Sequence, residues 1–239
     1  MAVVEGVIVR VGDVRFVVKA FSDINQRRLS TGRFWEPELL RYVQSSGDSP
    51  RSHLVNVGAH IGSMCVPASA CYGKVPAFEP VKDSFEHLSL HAKLNGCATL
   101  EAFNVALSNQ AGECPIVFNQ KNTGGTHVVT QEDIDLGRRH AQDRLESVTV
   151  ACSKLDDFEL EPPPSVVLVD IEGHDMEFLE GAKRTLAAFR PKLIMEIWTD
   201  DKRRFENMST SQSDVIQAVA ALGYGKVYRA GLDTFIFEA

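Results

Sequence analysis

The stretch Val55-Asn56-Val57-Gly58-Ala59-His60-Ile61-Gly62 decides how the chain is read. Apolar and small residues close a strand expected from His53 to Val57, two glycines bracket a tight turn, and an amphipathic run from Ile61 to Ala70 predicts a helix start. A turn of bare backbone between strand and helix lets a ligand approach main-chain N–H groups. Downstream, Lys74-Val75-Pro76-Ala77-Phe78 predicts a second strand ending in Glu79, 17 residues past Gly62. A carboxylate at the tip of the second strand of a βαβ unit stands where it can accept hydrogen bonds from both hydroxyls of a ribose. The same glycine turn also occurs where helix and sheet merely pack closely; it is the acid at this distance that points to a nucleoside-containing cofactor.

Two cofactor classes compete. The dinucleotide fingerprint needs glycine at its middle position, where His60 stands and would obstruct a pyrophosphate. That disfavours NAD and favours a ligand without phosphates, such as S-adenosylmethionine.

Composition sets outer bounds. The 239 residues suffice for one compact α/β domain, expected over 51–239, with residues 1–50 as an appended hairpin and helix. A net charge of −7 opposes general affinity for nucleic acid or an anionic membrane. Arg138-Arg139 and Lys202-Arg203-Arg204 are the obvious basic clusters and read as solvated faces. The five cysteines show no CxxC pair and read as reduced thiols. No apolar run approaches the ~20 residues of a membrane span, so a soluble, cytoplasmic protein is expected.

Residues 3 to 19 alternate apolar positions around Gly12-Asp13, which predicts a β-hairpin, and 22 to 34 read as a loop. Pro37 opens a short helix carrying Leu39, Leu40 and Val43, and Trp35 before it reads as a packing residue. A helix from Val81 to Ala92 stops at Asn95-Gly96, and a third strand runs from about Leu100 to Val105. Its end at Ala106 is placed beside an adenine ring. Ile116 to Phe118 predicts a strand, the polar stretch 119–147 a long loop serving as a lid over an acceptor, and Val148 to Ala151 another strand. Ser165 to Val169 predicts a strand buried on both faces, followed by Asp170-Ile171-Glu172-Gly173-His174-Asp175 and one helical stripe to Phe189. Lys192 to Ile197 is a further core strand carrying Glu196. Ser213-Asp214 then caps a helix, and Lys226 to Tyr228 with Thr234 to Phe237 predicts a closing antiparallel pair.

The ordered set VNVGAHIG, AFEP, NVALSN, NTGG, Leu155-Asp156-Asp157, VDIEGHDMEFLEGA and RPKLIMEI resembles the FkbM family of S-adenosylmethionine-dependent methyltransferases over roughly Phe34 to Ile197. The resemblance implies a Rossmann-like, seven-stranded class I methyltransferase sheet with helices on both faces. It also implies O-methylation of a hydroxyl on a sugar or small natural product. Gly58, Ala59 and Gly62 match the family's cofactor loop, Glu79 its ribose-binding acid, and Asp170, Glu172 and Gly173 its acidic motif. The chain departs from the family at Asn56, usually Asp, at His60, usually Asn, at His174, commonly a small residue, and at Asp175, commonly Glu.

The sulfonium of S-adenosylmethionine already makes its methyl carbon electrophilic, so such a protein chiefly aligns an acceptor oxygen and excludes water. An alcohol must also lose a proton, and His174 is the candidate base, oriented by Asp170 or Glu172. The bland reading of that turn is that Asp170 and Glu172 hydrogen-bond backbone N–H groups at a helix start while His174 faces solvent. In a metal-assisted alternative Asp170, His174 and Glu196 bind a divalent ion. A cofactor-binding module without catalysis is a third reading. The partner expected is a small-molecule alcohol, and the oligomeric state is open.

Overall fold

The computed structural model describes residues 6–19, 23–119, 122–128, 145–206 and 208–239. The hairpin forms from β1 (Val7–Val11) and β2 (Val14–Val18), turned at Gly12. Where a loop was expected, a helix spans Ile24–Ser30: Asp23 caps it by accepting the Gln26 N–H at 2.9 Å, and Leu29 anchors it in a cluster with Phe16, Val18 and Ile61. So few residues supply one buried apolar contact, too little for a visible periodicity.

The central sheet comprises β3 (Leu54–Val57), β4 (Val75–Phe78), β5 (Leu100–Phe103), β10 (Val166–Val169), β11 (Lys192–Glu196), β12 (Lys226–Arg229) and β13 (Thr234–Glu238). Their order is β12-β13-β11-β10-β3-β4-β5, with β13 antiparallel to β11 and to β12. This is the seven-stranded α/β sheet expected. β3, β4, β10 and β11 lie deep within it and read as apolar runs for that reason. A second sheet holds β6 (Ala106–Leu107), β9 (Leu145–Ser153), β7 (Gly112–Asn119) and β8 (Asn122–Val128), in that order. The third strand therefore breaks in two, Leu100–Phe103 staying in the main sheet and Ala106–Leu107 joining the second. The loop expected over 119–147 is also corrected: Asn122–Val128 and the stretch from Leu145 are strands. Backbone pairing with β7 supplies what the Asn-Thr-Gly-Gly composition lacks in strand propensity. Of the expected lid, 120–121 and 129–144 lie outside the described residues, as does Arg138-Arg139.

Helices connect the strands. Gly62 sits at φ 83°, so the helix foreseen from Ile61 begins only at Cys65, as Cys65–Ala68 and a 3-10 turn to Cys71. Lys82–Leu94 packs against the hairpin. The long stripe after β10 divides into Asp175–Gly181 and Lys183–Phe189, where a Cβ on Gly181 would stand 1.9 Å from the Ser108 carbonyl oxygen. The last helix, Gln212–Ala221, is capped by Ser211 and not Ser213, through a reciprocal box with Asp214.

His91 ties the hairpin to the glycine turn. Its Nδ1–H donates to the Ile61 carbonyl at 2.7 Å while Nε2 accepts the Val17 N–H at 2.9 Å, an arrangement open to the neutral imidazole. Burial holds its pKa below the ordinary value near 6.5. The unfolded chain thus takes up a proton first as pH falls, so this contribution is complete above about pH 6.5 and is lost below it. His91→Leu is expected to lower stability by about 1–3 kcal/mol at pH 8 and by less at pH 5, read from denaturant unfolding at both pH values.

Candidate functional site

The chain runs β3, β4, β5 in one direction and returns to place β10 on the other side of β3, so the strand order reverses between β3 and β10. Open α/β sheets leave a crevice at the carboxyl ends of such neighbours. Here the crevice is a cavity of about 550 Å³. Asn56, Gly58, Ala59, His60, Glu79, Ala106, Asp170, Glu172, His174 and Glu196 all line it. Gly62 does not: it supports the turn from behind, where a Cβ would meet Leu88 and Val66 at 2.7 Å.

Gly58 sits at φ 76°, and a Cβ there would lie 1.7 Å from the Asp170 carbonyl oxygen, so the end of β3 and the end of β10 touch through bare backbone. His60 is also left-handed, at φ 48°, a conformation for which Asn, Asp and His are enriched. That is why histidine can stand where the family has asparagine. The His60 N–H donates to Glu79 Oε2 and the Val81 N–H to Oε1, both at 2.8 Å, which locks the acid to the turn. Each oxygen keeps a lone pair for a further donor. Burial outweighs these two bonds and pushes the Glu79 carboxyl up to about 7. Asn104, which sequence reading passed over, holds the end of β4 by donating to the Glu79 and Pro80 carbonyls at 2.9 Å. The Asn56 Oδ1 atom is buried and has no hydrogen-bond partner among the described residues, as an acceptor facing a missing donor would be.

The opposite wall is acidic. Asp170, Glu172 and Glu196 each bring a carboxylate oxygen within 4.8 Å of the others. Asp170 is open to the cavity, but the protein walls packed around it, then repulsion by Glu196 and Glu172, raise it above the usual carboxylate range, and its hydrogen bond with Glu196 lets the pair share a proton. Burial and Glu172 push Glu196 up to about 7. Glu172 is left-handed at φ 51° and accepts from Lys202 Nζ at 3.1 Å; that ammonium also lies 3.8 Å over the Trp198 ring.

His174 takes other partners than those expected. It is buried, its Nε2 lies 2.9 Å from Ser108 Oγ and its Nδ1 3.5 Å from Glu177 Oε2, so neither Asp170 nor Glu172 orients it. Burial lowers its pKa, keeping the ring neutral. Among the described residues the group able to share a metal ion is accordingly Asp170, Glu172 and Glu196, with Glu172 in place of the expected His174. Trp35 is no core residue: it lines the cavity with 46% of its surface open. Arg203 is not solvated either; within the helix Asp200–Phe205 it is buried against Asp175 and donates to the Trp198 carbonyl at 3.0 Å. Lone tryptophans and short basic runs carry no local mark of which neighbour will cover them.

The sheet order and the crevice together define a class I, S-adenosylmethionine-dependent methyltransferase fold. Two solved structures share it over 90% of this chain at a TM-score of 0.51: methyltransferase FkbM of Methylobacillus flagellatus, 16% identical, of which 53% is covered, and magnesium protoporphyrin IX methyltransferase of Synechocystis with bound S-adenosylmethionine, 12% identical, of which 82% is covered. The Methyltransferase FkbM domain matches residues 56–225. The chain belongs to the FkbM methyltransferase family, whose methyl donor is S-adenosylmethionine. Among curated proteins it is similar to hexuronic acid methyltransferase AglP of Haloferax volcanii, 27% identical over 173 residues, which are 72% of this chain and 65% of that protein. It is also similar to methyltransferase sdnD of Sordaria araneosa, 25% identical over 170 residues, covering 61% of this chain and 66% of that one. The chain thus spans just under two thirds of the length of both. No described helix is long and apolar enough to cross a membrane.

Proposed function

We propose that the protein transfers a methyl group from S-adenosylmethionine to a hydroxyl of a sugar or small natural product. One observation carries the reading: the glycine turn and Glu79, joined by the His60 N–H, face a cavity whose other wall is a cluster of carboxyls with raised pKa values. The similarity to a hexuronic acid methyltransferase supports a sugar hydroxyl as acceptor. Bound in this cavity, S-adenosylmethionine supplies a methyl carbon that is electrophilic without further activation.

The chain's residues divide the remaining work. The N–H groups of Gly58 and Ala59 already donate to the Phe78 carbonyl, so the turn gives the cofactor a bare surface to pack against; Glu79 accepts from its ribose hydroxyls, and Asn56 Oδ1 accepts from its amino group. Ala106 lies in the wall assigned to the adenine. Asp170, Glu172 and Glu196 receive the proton that an attacking hydroxyl gives up, with Glu196, held near neutrality, as the base. His174 is the second candidate, since it is neutral and lines the same wall.

Calorimetry with S-adenosylmethionine followed by a labelled-methyl assay on a panel of sugars tests the whole reading. Binding without transfer to any alcohol would leave a cofactor-binding module. Glu79→Ala is expected to weaken cofactor binding by about 1.5–3 kcal/mol, because the ribose loses a charged acceptor. The ionised carboxylate is the form that accepts, and its pKa is about 7, so the wild-type dissociation constant should tighten between pH 6 and pH 8. Glu79→Gln should flatten that dependence. Glu196→Gln is expected to lower kcat about 100-fold or more with cofactor affinity unchanged, measured at saturating cofactor. A larger loss in His174→Ala would transfer the base to His174.

A further inference from the structure

We propose that the acceptor carries a protonated amine near its reacting hydroxyl, as amino sugars and amino alcohols do, and not a carboxylate. The inference rests on the methyl-transfer reading above and narrows its substrate. Besides Glu79, whose oxygens already take two backbone N–H groups, five acids line the one cavity: Glu36, Asp170, Glu172, Glu196 and Asp233. They come from separate segments: the N-cap of the helix Pro37–Ser45, the turn after β10, the end of β11 and the loop before β13. A locally acidic stretch therefore does not account for their convergence. They lie close enough to repel one another, Asp233 acting on Glu36, Glu172 and Glu196, and Glu36 on Asp170.

Little opposes that charge. Lys202 is the sole lysine or arginine among the described lining residues, and its ammonium is held by Glu172 and the Trp198 ring. Lys202, the proton shared by Asp170 and Glu196, and the one net positive charge of S-adenosylmethionine together still leave part of the negative charge of these acids uncompensated. Next to Glu36 in sequence, Trp35 opens its indole to the same cavity, and an aromatic face beside carboxylates is a setting that favours an organic cation. A uronate would bring its own carboxylate among five others, so the acceptor class differs from the one in AglP's name.

The test uses the full chain saturated with S-adenosylhomocysteine and compares glucosamine, N-acetylglucosamine and glucuronate by calorimetry. Glucosamine is expected to bind at least tenfold more tightly than the other two. The double variant Glu36→Gln, Asp233→Asn should erase that preference while leaving S-adenosylhomocysteine affinity unchanged. A glucosamine preference of less than tenfold, no binding of glucosamine, or a preference for glucuronate overturns the inference. So does an affinity for Mg²⁺ alone that glucosamine does not displace, since the cluster would then be a metal site. Failure to bind S-adenosylhomocysteine would instead bring down the methyl-transfer reading, and the two failures are distinguishable.

Discussion

Gly58→Ala is expected to destabilise the protein by about 3–5 kcal/mol and to abolish cofactor binding where the variant still folds. Two costs combine. A left-handed φ of 76° is disfavoured for alanine by about 1–2 kcal/mol, and the new Cβ would stand 1.7 Å from the Asp170 carbonyl oxygen and 2.8 Å from its carbon. Those neighbours are backbone atoms of the adjoining strand end and cannot rotate away. Relief requires β10 to move from β3, where the Asp170 N–H donates to the Val57 carbonyl at 3.0 Å. The same movement opens the floor of the cavity. Denaturant unfolding measures the first effect and calorimetry with S-adenosylmethionine the second. Gly225→Ala serves as control, since nothing lies within 4 Å of its Cβ position; it should change stability by no more than about 0.5 kcal/mol. A Gly58→Ala variant as stable as this control would disprove the close contact.

Arg203→Met is expected to cost about 3–5 kcal/mol at pH 8. Arg203 and Asp175 are both 1% exposed in their side chains, and the guanidinium also donates to the Trp198 carbonyl and to Thr210 Oγ1 at 2.9 Å. Removing it strands a buried carboxylate whose second oxygen has no partner among the described residues. Burial pushes Asp175 up to about 6 even with the guanidinium present, and without it the carboxyl rises further. A folded-state pKa above the unfolded one penalises the folded state at high pH, and the penalty fades as pH falls and the group protonates. The loss should therefore be smaller at pH 5 than at pH 8, measured by unfolding at both. Asp175→Leu combined with Arg203→Met should recover part of the loss, because no buried charge remains. Equal losses at both pH values would show that packing, not charge, sets the cost. Because Lys202 precedes Arg203 and faces Glu172, the single variant should also disturb the acidic wall.

Much of the fold was legible because its signals are local. The strands at Leu54–Val57, Val75–Phe78, Val166–Val169 and Lys192–Glu196 are apolar runs bounded by turns, and burial on both faces demands that composition. Gly58 and Glu79 could be paired from their spacing, since a βαβ unit brings the ends of consecutive strands side by side. Asn122–Val128 escaped notice because its strand character comes from pairing with β7, a partner that composition does not announce. The helix Ile24–Ser30 escaped because it has only about two turns and a single buried apolar residue, Leu29.

Within the site, the residue types and their positions along the chain were enough to pick out a nucleoside-binding turn and an acidic strand end. What side chains face was settled elsewhere. His174 turned to Ser108 and Glu177, Glu172 replaced it beside Asp170 and Glu196, Arg203 went inward to Asp175, and Trp35 stayed open to the cavity. Each outcome depends on a neighbour distant in sequence or on a rotamer fixed by packing. Backbone conformation is dictated mostly by near neighbours and by periodic burial, and so can be read along the chain. The direction and charge state of a buried side chain follow from whichever distant groups the folded chain gathers around it.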